Sequence, residues 1–186
     1  MFCFFRKKHF KSVGRDVRLA KGIIVKNSGT VGSHVAIDHG FYCTVPIKIG
    51  DYIHISPYCT VIGGSKAFFE MEDFSGLAAG CRIICASDEM KGVGIPNPTI
   101  PPNYRDRVIN LPVVIKKFAT ISTNAIICPG VTIEEGCVIG ANSLVMKSTE
   151  PWSVYAGSPA KFIRPRPAGK INLYAEKLIQ EKEQKP

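Results

Sequence analysis

The sequence predicts an all-β solenoid, a parallel β-helix. Three observations lead to this fold class: an apolar period of six, a second column of small residues, and breaks after which the period resumes. A period of six matches neither the 3.6-residue repeat of an α-helix nor the alternation of a simple strand, and it is typical of hexapeptide β-helix repeats. The apolar positions are Val25, Val31, Ile37, Cys43, Ile49, Ile55 and Val61; Met71, Leu77 and Ile83; and Ile115, Ile121, Ile127, Ile133, Ile139 and Val145.

Three short strands of this kind close one triangular coil of about 18 residues, and coils stack at the strand spacing of about 4.8 Å. The register residue points inward, while the residues on either side of it point outward. A single coil cannot bury its own apolar residues, so the stack of coils forms the core. Small residues that follow the register by four positions are expected to fill the corners: Ala119, Ala125, Val131, Cys137 and Ser143.

The period is interrupted twice before it resumes. Four extra residues between Val61 and Met71 include two glycines and predict a bulge or corner loop. A longer break at about 86–112 contains five prolines, so we expect no regular strand or helix there. An irregular segment of that length inside a compact domain usually carries function.

The expected organisation therefore has three parts. Residues 1–20 form an N-terminal cap, and residues 21–150 form the β-helix with its ejected loop. Residues 151–186 leave the β-helix through a Pro- and Gly-rich passage and end in a short amphipathic α-helix. The apolar face of that helix is predicted to contain Ile171, Tyr174 and Leu178.

The net charge of +9 is concentrated at the two ends of the chain. Residues 1–26 have a net charge of +7 and residues 147–186 of +4, whereas the middle has −2. No basic stripe interleaves with aromatic residues, so we expect no nucleic-acid partner. The apolar start is too short for a signal peptide or a membrane span, which predicts a cytoplasmic protein. Weak docking of this start on the inner face of a membrane stays open.

Cysteine usage predicts a reducing compartment and no metal. The chain has seven cysteines and no CxxC pair. Cys43 occupies the inward register and Cys137 the small inward column, so both are interpreted as small core hydrophobes.

The C-terminal part resembles a known family. The stretches "CPGVTI" (128–133), "IGANSLV" (139–145) and "VYAGSPAKFIRPR" (154–166) are similar to those of the hexapeptide-repeat acyltransferases. Within that family the chain resembles the galactoside and sugar O- or N-acetyltransferases of polysaccharide biosynthesis. The resemblance implies left-handed coiling and a homotrimer. It also implies acetyl-CoA in a groove between subunits, with the thioester near the long loop and the phosphates near the C-terminal coils.

The resemblance also assigns cofactor-binding residues. Small residues let the backbone approach the pantetheine arm, and basic side chains near the C-terminus recognise phosphates. Taken singly, each of the lysines among them is more often only a surface charge. The predicted cofactor-binding residues are Ser122, Ala125, Ala141, Ser143, Lys147, Gly157, Lys161 and Arg164.

Transfer to a sugar hydroxyl requires a base near neutral pKa, most often histidine. Galactoside-type relatives have this histidine in the extended loop, but the loop of this chain contains none. His54 directly precedes the register residue Ile55, so its side chain should point outward. It is the candidate base, and a plain surface or subunit-contact histidine is the alternative. An amino sugar needs less help, so O- and N-acetylation both remain open.

The ejected loop supplies the candidate acceptor residues. Asp88 at its root is predicted to orient a histidine from another chain or to hold the sugar. Asn97, Asn103 and Tyr104 have side chains that bind hydroxyl groups, with turn formation as the alternative. The acceptor class is a sugar, a nucleotide sugar or a lipid-linked oligosaccharide.

Two other functions are compatible with the same fold. Carbonic anhydrases of the γ class bind zinc with three histidines on such a prism, and His34 and His39 have a matching spacing, with His54 or His9 as the third ligand. Those hydratases lack the C-terminal motif present here. The other alternative is an inactive trimeric scaffold that binds no CoA.

Overall fold

The computed structural model describes residues 10–183 and is a parallel β-solenoid with one ejected hairpin and one C-terminal helix. Six triangular coils follow one another along the chain, and most strands contain only two or three residues. In chain order the elements are β1 (Ser12–Val13), β2 (Arg18–Leu19) and β3 (Ile24–Val25); β4 (Thr30–Val31), β5 (Ala36–Ile37) and β6 (Tyr42–Cys43); β7 (Ile47–Ile49), β8 (His54–Ile55) and β9 (Thr60–Ile62); β10 (Phe69–Met71), β11 (Gly76–Leu77) and β12 (Arg82–Ile84); the ejected β13 (Ala86–Asp88) and β14 (Val108–Asn110); β15 (Val113–Ile115), β16 (Thr120–Ile121) and β17 (Ile126–Ile127); β18 (Thr132–Ile133), β19 (Val138–Ile139) and β20 (Leu144–Val145); β21 (Ser153–Ala156), β22 (Lys161–Pro165) and α1 (Gly169–Glu183).

The strands form three parallel sheets, each of which takes one strand from every coil. Face A has the order β1-β4-β7-β10-β15-β18, face B begins β2-β5-β8-β11-β16-β19, and face C has the order β3-β6-β9-β12-β17-β20. On face B, β21 pairs with β19, and β22 then pairs antiparallel with β21. The predicted fold class is therefore confirmed.

Pairing registers show where the extra residues go. Ile37 pairs with Ile55, one regular coil later. Ile49 pairs with Met71, so the four extra residues lie in the corner between β9 and β10. Met71 pairs with Ile115, because the whole ejected segment leaves at the corner after β12. Every predicted register residue is at most 8% exposed, so the inward column is the core.

The solenoid begins earlier than the expected residue 21. β1 pairs with β4 and β2 pairs with β5, so Val13 and Leu19 already continue the period of six. Residues 1–9 of the predicted cap lie outside the described residues, which start at Phe10, and residues 10–20 belong to the first coil. Phe10 itself is buried in the core.

An aromatic column marks the corner between faces A and B. Tyr52, Phe74, Phe118 and Trp152 occupy this corner with positive φ angles, a backbone state that lets the chain turn sharply between strands. Neighbouring ring centroids are 4.8 Å apart for Tyr52 and Phe74 and 5.3 Å apart for Phe74 and Phe118. His34 extends the column, with its ring 4.8 Å from that of Tyr52. These contacts tie successive coils together outside the core.

The ejected segment contains regular structure, contrary to the prediction. β13 and β14 pair antiparallel, with Ala86 opposite Asn110. The prolines did not prevent this pairing because all five lie between the two strands or after them. Between the strands, a 3-10 turn spans Pro102–Tyr104.

The helix α1 forms where the sequence predicted it, but with a different buried face. Ile171, Ala175 and Leu178 are buried or half-buried, whereas Tyr174 is 64% exposed. The spacing of i, i+4 and i+7 places the three buried residues on one side of the helix. Ile179 lines a hollow together with Tyr52 and Phe74, so the helix lies along the aromatic column. Within residues 10–183, no helix is long and apolar enough to cross a bilayer.

Candidate active site

The outward residues differ sharply between the three faces. Face A carries ion pairs, of which Lys48–Glu70 and Lys116–Glu72 join neighbouring coils. Face C is mainly apolar, with Ile24, Tyr42, Ile62, Ile84, Ile126 and Leu144 pointing outward. On face B the outward residues are mostly small, which leaves room beside the strands: Ala36, His54, Gly76, Thr120 and Val138 before the register position, and Asp38, Ser56, Ala78, Ser122 and Gly140 after it.

His54 stands out on face B as an exposed imidazole with a carboxylate partner. Its Nε2 lies 2.8 Å from Asp38 Oδ2, and the two side chains are 59% and 40% exposed. When Nε2–H donates to this carboxylate, Nδ1 carries the lone pair and can accept a proton. The sequence prediction missed Asp38. The signal for it was present, because residues one coil apart and two positions offset share a face.

The other described histidines lie at different corners. His34 Nδ1 is 2.9 Å from Asp16 Oδ2 at the corner between faces A and B. His39 Nδ1 donates to the Lys21 carbonyl at the opposite end of β5, and its ring contacts Tyr58 edge-on. Among residues 10–183, no group of three His, Cys, Asp or Glu side chains could hold a metal ion. The zinc alternative, whose remaining candidate ligand His9 lies outside the described residues, has no observation in its favour.

The described cysteines act as core residues. Cys43 and Cys85 are fully buried, and burial raises the pKa of each thiol to about 12. Both are therefore neutral thiols at physiological pH, and neutral thiols are poor nucleophiles and metal ligands.

In the ejected segment, Asp88 is part of a structural clamp. Its Oδ1 accepts hydrogen bonds from Arg105 Nε at 3.0 Å and Nη2 at 2.8 Å, and both side chains are largely buried. The clamp ties the two arms of the hairpin together. The predicted catalytic or sugar-binding role of Asp88 stays a prediction, and the clamp is a role that sequence reasoning did not anticipate.

The three predicted acceptor residues lie at the outer end of the same segment. Asn97 Oδ1 accepts hydrogen bonds from the backbone N–H and hydroxyl of Thr99, so its carbonyl oxygen stabilises a turn. Asn103 and Tyr104 are exposed on the 3-10 turn, and Tyr104 is 70% exposed. The turn-forming alternative is thus observed for Asn97, while the amide group of its side chain remains available for other contacts.

The C-terminal motif brings two of the predicted basic residues together. Lys147 and Lys161 line one hollow of about 620 Å³ with Met146, Tyr155 and Phe162. The turn between β21 and β22 packs on β20, because the Leu144 N–H donates to the Gly157 carbonyl and the Ala160 N–H donates to the Leu144 carbonyl.

Not all predicted cofactor residues face outward. Ala125 and Ser143 are 0% and 1% exposed, so their side chains fill the prism and only their backbone atoms can approach a ligand. Ser143 Oγ instead accepts a hydrogen bond from the Gly157 N–H at 3.1 Å. Arg164 lies on the exposed strand β22, and its Nη1 donates to the Pro165 carbonyl.

Known proteins share this architecture. The family "Bacterial transferase hexapeptide (six repeats)" matches residues 112–147. The dTDP-4-amino-4,6-dideoxy-D-glucose acyltransferase of Escherichia coli is 31% identical over 164 residues, which are 84% of this chain and 83% of that protein. The chain belongs to the bacterial hexapeptide-repeat transferases. The resemblance predicted from the C-terminal motif is thereby confirmed.

Solved structures of family members agree. AntD, an N-acyltransferase from Bacillus cereus, is 32% identical, and a variant of it in complex with dTDP and coenzyme A superposes with a TM-score of 0.88 over 95% of both chains. AntD has also been solved with dTDP and 3-hydroxybutyryl-CoA. A maltose O-acetyltransferase from Clostridium difficile, at 22% identity, 87% of this chain, 73% of its own and a TM-score of 0.60, shares the fold.

Proposed function

We propose that this protein transfers an acyl group from acyl-CoA to the amino group of a sugar carried on a dTDP nucleotide. The supporting observation is that AntD superposes on this chain over 95% of both chains. The unmatched 5% is shorter than the ejected segment, so most of that segment lies within the matched region. AntD variants bind dTDP-4-amino-4,6-dideoxyglucose together with coenzyme A. An amine acceptor is favoured over a hydroxyl because AntD is an N-acyltransferase.

In this proposal His54 is the general base. The sugar nitrogen attacks the thioester carbonyl, the new C–N bond forms, and the C–S bond breaks to release the CoA thiolate. The nitrogen loses one proton to His54 Nδ1, and the imidazolium that forms passes this proton to the thiolate as it leaves. Asp38 is a positioning residue, since its carboxylate holds Nε2–H and stabilises the imidazolium that forms.

The CoA phosphates are assigned to the hollow that Lys147 and Lys161 line, because two cationic side chains converge there. Gly157 and Arg164 lie on the adjacent exposed turn and strand. Along face B, Ser122 supplies a small outward side chain, and Ala141 lies exposed at the next corner. Ala125 and Ser143 contribute only through backbone atoms, since their side chains are buried.

The acceptor sugar is assigned to the ejected hairpin. The Asp88–Arg105 clamp holds its two arms in register, and the outer turn then presents Asn103 and Tyr104 to the sugar nucleotide. The free amide of Asn97 offers a further donor at the same end.

Face C is the proposed contact between copies of the chain in a homotrimer. Its outward residues are mostly aliphatic or aromatic, with Arg82 and Thr60 among them, and Ile24 and Ile62 are 48% and 40% exposed in the single chain. A largely apolar sheet face of this kind is typical of protein–protein contacts. Residues at the edge of face C would then bring a neighbouring copy close to face B and complete the groove. A cytoplasmic location, with weak docking at a membrane surface, is part of the same proposal.

Product analysis tests this function. Purified protein is incubated with acetyl-CoA or 3-hydroxybutyryl-CoA and either dTDP-4-amino-4,6-dideoxyglucose or the corresponding 4-hydroxy sugar. We expect mass spectrometry to show one added acyl group on the amino sugar, in a bond that resists hydroxylamine. If only the 4-hydroxy sugar is acylated, the amino sugar is rejected as the acceptor. If a lipid-linked oligosaccharide added in a parallel assay is acylated instead, that class of molecule is the acceptor. The absence of any CoA binding in calorimetry would favour the scaffold alternative.

A further inference from the structure

Gly76 occupies a position where neither the backbone nor the packing requires glycine. It lies on face B directly between His54 and Thr120, with which it pairs in register. Its φ angle is not in the positive range that favours glycine. A Cβ built on Gly76 would have the His54 carbonyl oxygen as its nearest neighbour at 3.6 Å, an ordinary van der Waals contact.

Other outward glycines in the prism are there for a visible packing reason. A Cβ on Gly140, further along face B, would lie 2.8 Å from Ala156 Cβ. A Cβ on Gly50, on face A, would clash with an Asp73 carboxylate oxygen. Glycine weakens a strand relative to alanine, so Gly76 has a cost without a structural benefit. What it provides is empty space.

The empty space lies beside the free edge of His54. The imidazole leans toward the preceding coil, where Asp38 holds Nε2 at 2.8 Å. The opposite side of the ring faces the next coil, where Gly76 has no side chain. Thr120 in the coil beyond bounds the space, at about 9–10 Å from His54 between Cα atoms for two strand spacings. We call this space, between His54 and Thr120 over Gly76, the trough.

The floor of the trough is apolar. It consists of the Gly76 backbone and the neighbouring Ala78, and the Gly76 N–H is already donated to the Ala119 carbonyl. A hydrocarbon chain needs no hydrogen-bond partner on such a floor, whereas a pyranose ring would depend on the hydroxyl groups of Thr120, Ser56 and Ser122 around it. The thioester carbonyl has to lie near His54 during transfer, so the substituent on that carbonyl can reach the trough.

We propose that the trough holds the acyl chain of the donor, and that Gly76 thereby sets the longest acyl group the enzyme transfers. This inference rests on the proposed acyl transfer and deepens it. It makes the enzyme an acyltransferase for groups longer than acetyl, rather than the acetyltransferase that the sequence alone suggested. A side chain at position 76 would fill the trough and restrict the donor to acetyl-CoA.

The test compares acyl donors in wild type, Gly76→Ala and Gly76→Val. We expect kcat/KM with 3-hydroxybutyryl-CoA to fall about tenfold or more relative to acetyl-CoA in Gly76→Val, with Gly76→Ala intermediate. Ala36→Val is the matched control, because Ala36 lies in the same outward column on the Asp38 side of His54. An unchanged donor ratio in Gly76→Val, or an equal change in Ala36→Val, would overturn the proposal.

Binding measurements separate this inference from the proposed acceptor. Calorimetry with free CoA, acetyl-CoA and 3-hydroxybutyryl-CoA needs no sugar. We expect Gly76→Val to weaken the binding of 3-hydroxybutyryl-CoA and to leave the affinity for free CoA unchanged. If that result is obtained but the amino sugar is not turned over, the trough does bind the acyl chain and the proposed acceptor is wrong. Normal turnover of the amino sugar with identical donor preference in all variants would reject the trough and retain the proposed function.

Discussion

Faces B and C are built on the same inward columns but have opposite outward surfaces. Both bury an aliphatic residue or cysteine in nearly every coil, such as Ile55 on face B and Val61 on face C. Outward, face B has small residues around His54 and Asp38, whereas face C has aliphatic residues such as Ile126. The inward columns hold the prism together, and they do not restrict which side chains occupy the outward positions.

The difference indicates how one repeat serves two purposes. Small outward side chains leave a strand face open to a ligand, and a base in such a face can reach it. Large apolar outward side chains instead gain from removal from water against another protein surface. If this division is correct, substitutions on face B should change chemistry, and substitutions on face C should change assembly.

The largest expected effect is on face B. His54→Ala should lower kcat by about 10²–10⁴-fold, because a positioned general base contributes that much, and should leave the melting temperature unchanged. Steady-state kinetics measures it. His39→Ala is the control, since His39 is an exposed histidine at the corner after β5 whose ring contacts the Lys21 carbonyl and Tyr58 rather than the Asp38 carboxylate. Equal kcat values for His54→Ala and wild type would show that His54 is only a surface residue.

The next effect concerns face C. Ile126→Lys should convert the assembly into single chains, because a charge would be buried in an apolar contact beside Arg82, its register neighbour. Sedimentation velocity measures the mass. Val114→Lys is the control: Val114 is also an outward residue of the fifth coil, but it lies on face A, where Glu70 is its neighbour. If Val114→Lys abolishes assembly and Ile126→Lys does not, the contact between copies lies on face A instead of face C.

A smaller effect separates positioning from catalysis. Asp38→Asn should lower kcat about tenfold with little change in KM, because a neutral amide stabilises an imidazolium less than a carboxylate does, by about 1.4 kcal/mol. Asp38→Glu should recover part of the loss. If KM rises and kcat is retained, Asp38 contacts a substrate instead of holding His54.

The smallest effect is on stability. Gly76→Ala should raise the free energy of unfolding by about 0.4–1 kcal/mol, since it removes conformational freedom from the unfolded chain and introduces no clash. Denaturant titration measures it. Gly140→Ala, on the same face, should instead destabilise the protein because of the contact with Ala156. A destabilised Gly76→Ala would mean that glycine has a structural role at position 76.

Much of the site can be predicted from the sequence, including some features that were not among the predictions. The period extends to Leu19 and Val13, which would have placed the first coil correctly. The second inward column already contained Ala125 and Ser143, so their side chains could have been assigned to the core rather than to the cofactor. The Asp38–His54 contact follows from the coil length. Ile37 and Ile55 are one coil apart, and Asp38 directly follows the first while His54 directly precedes the second.

The sequence by itself determined the prism, because an inward residue at every sixth position is a local property that each coil repeats. Only the tertiary structure decided the pairing of β13 with β14, the clamp between Asp88 and Arg105, and the path of α1 along the aromatic column. These features join segments through angles and turns that no short period encodes. The empty space beside His54 belongs with them, because a missing side chain acquires meaning only when its neighbours in the stack are known.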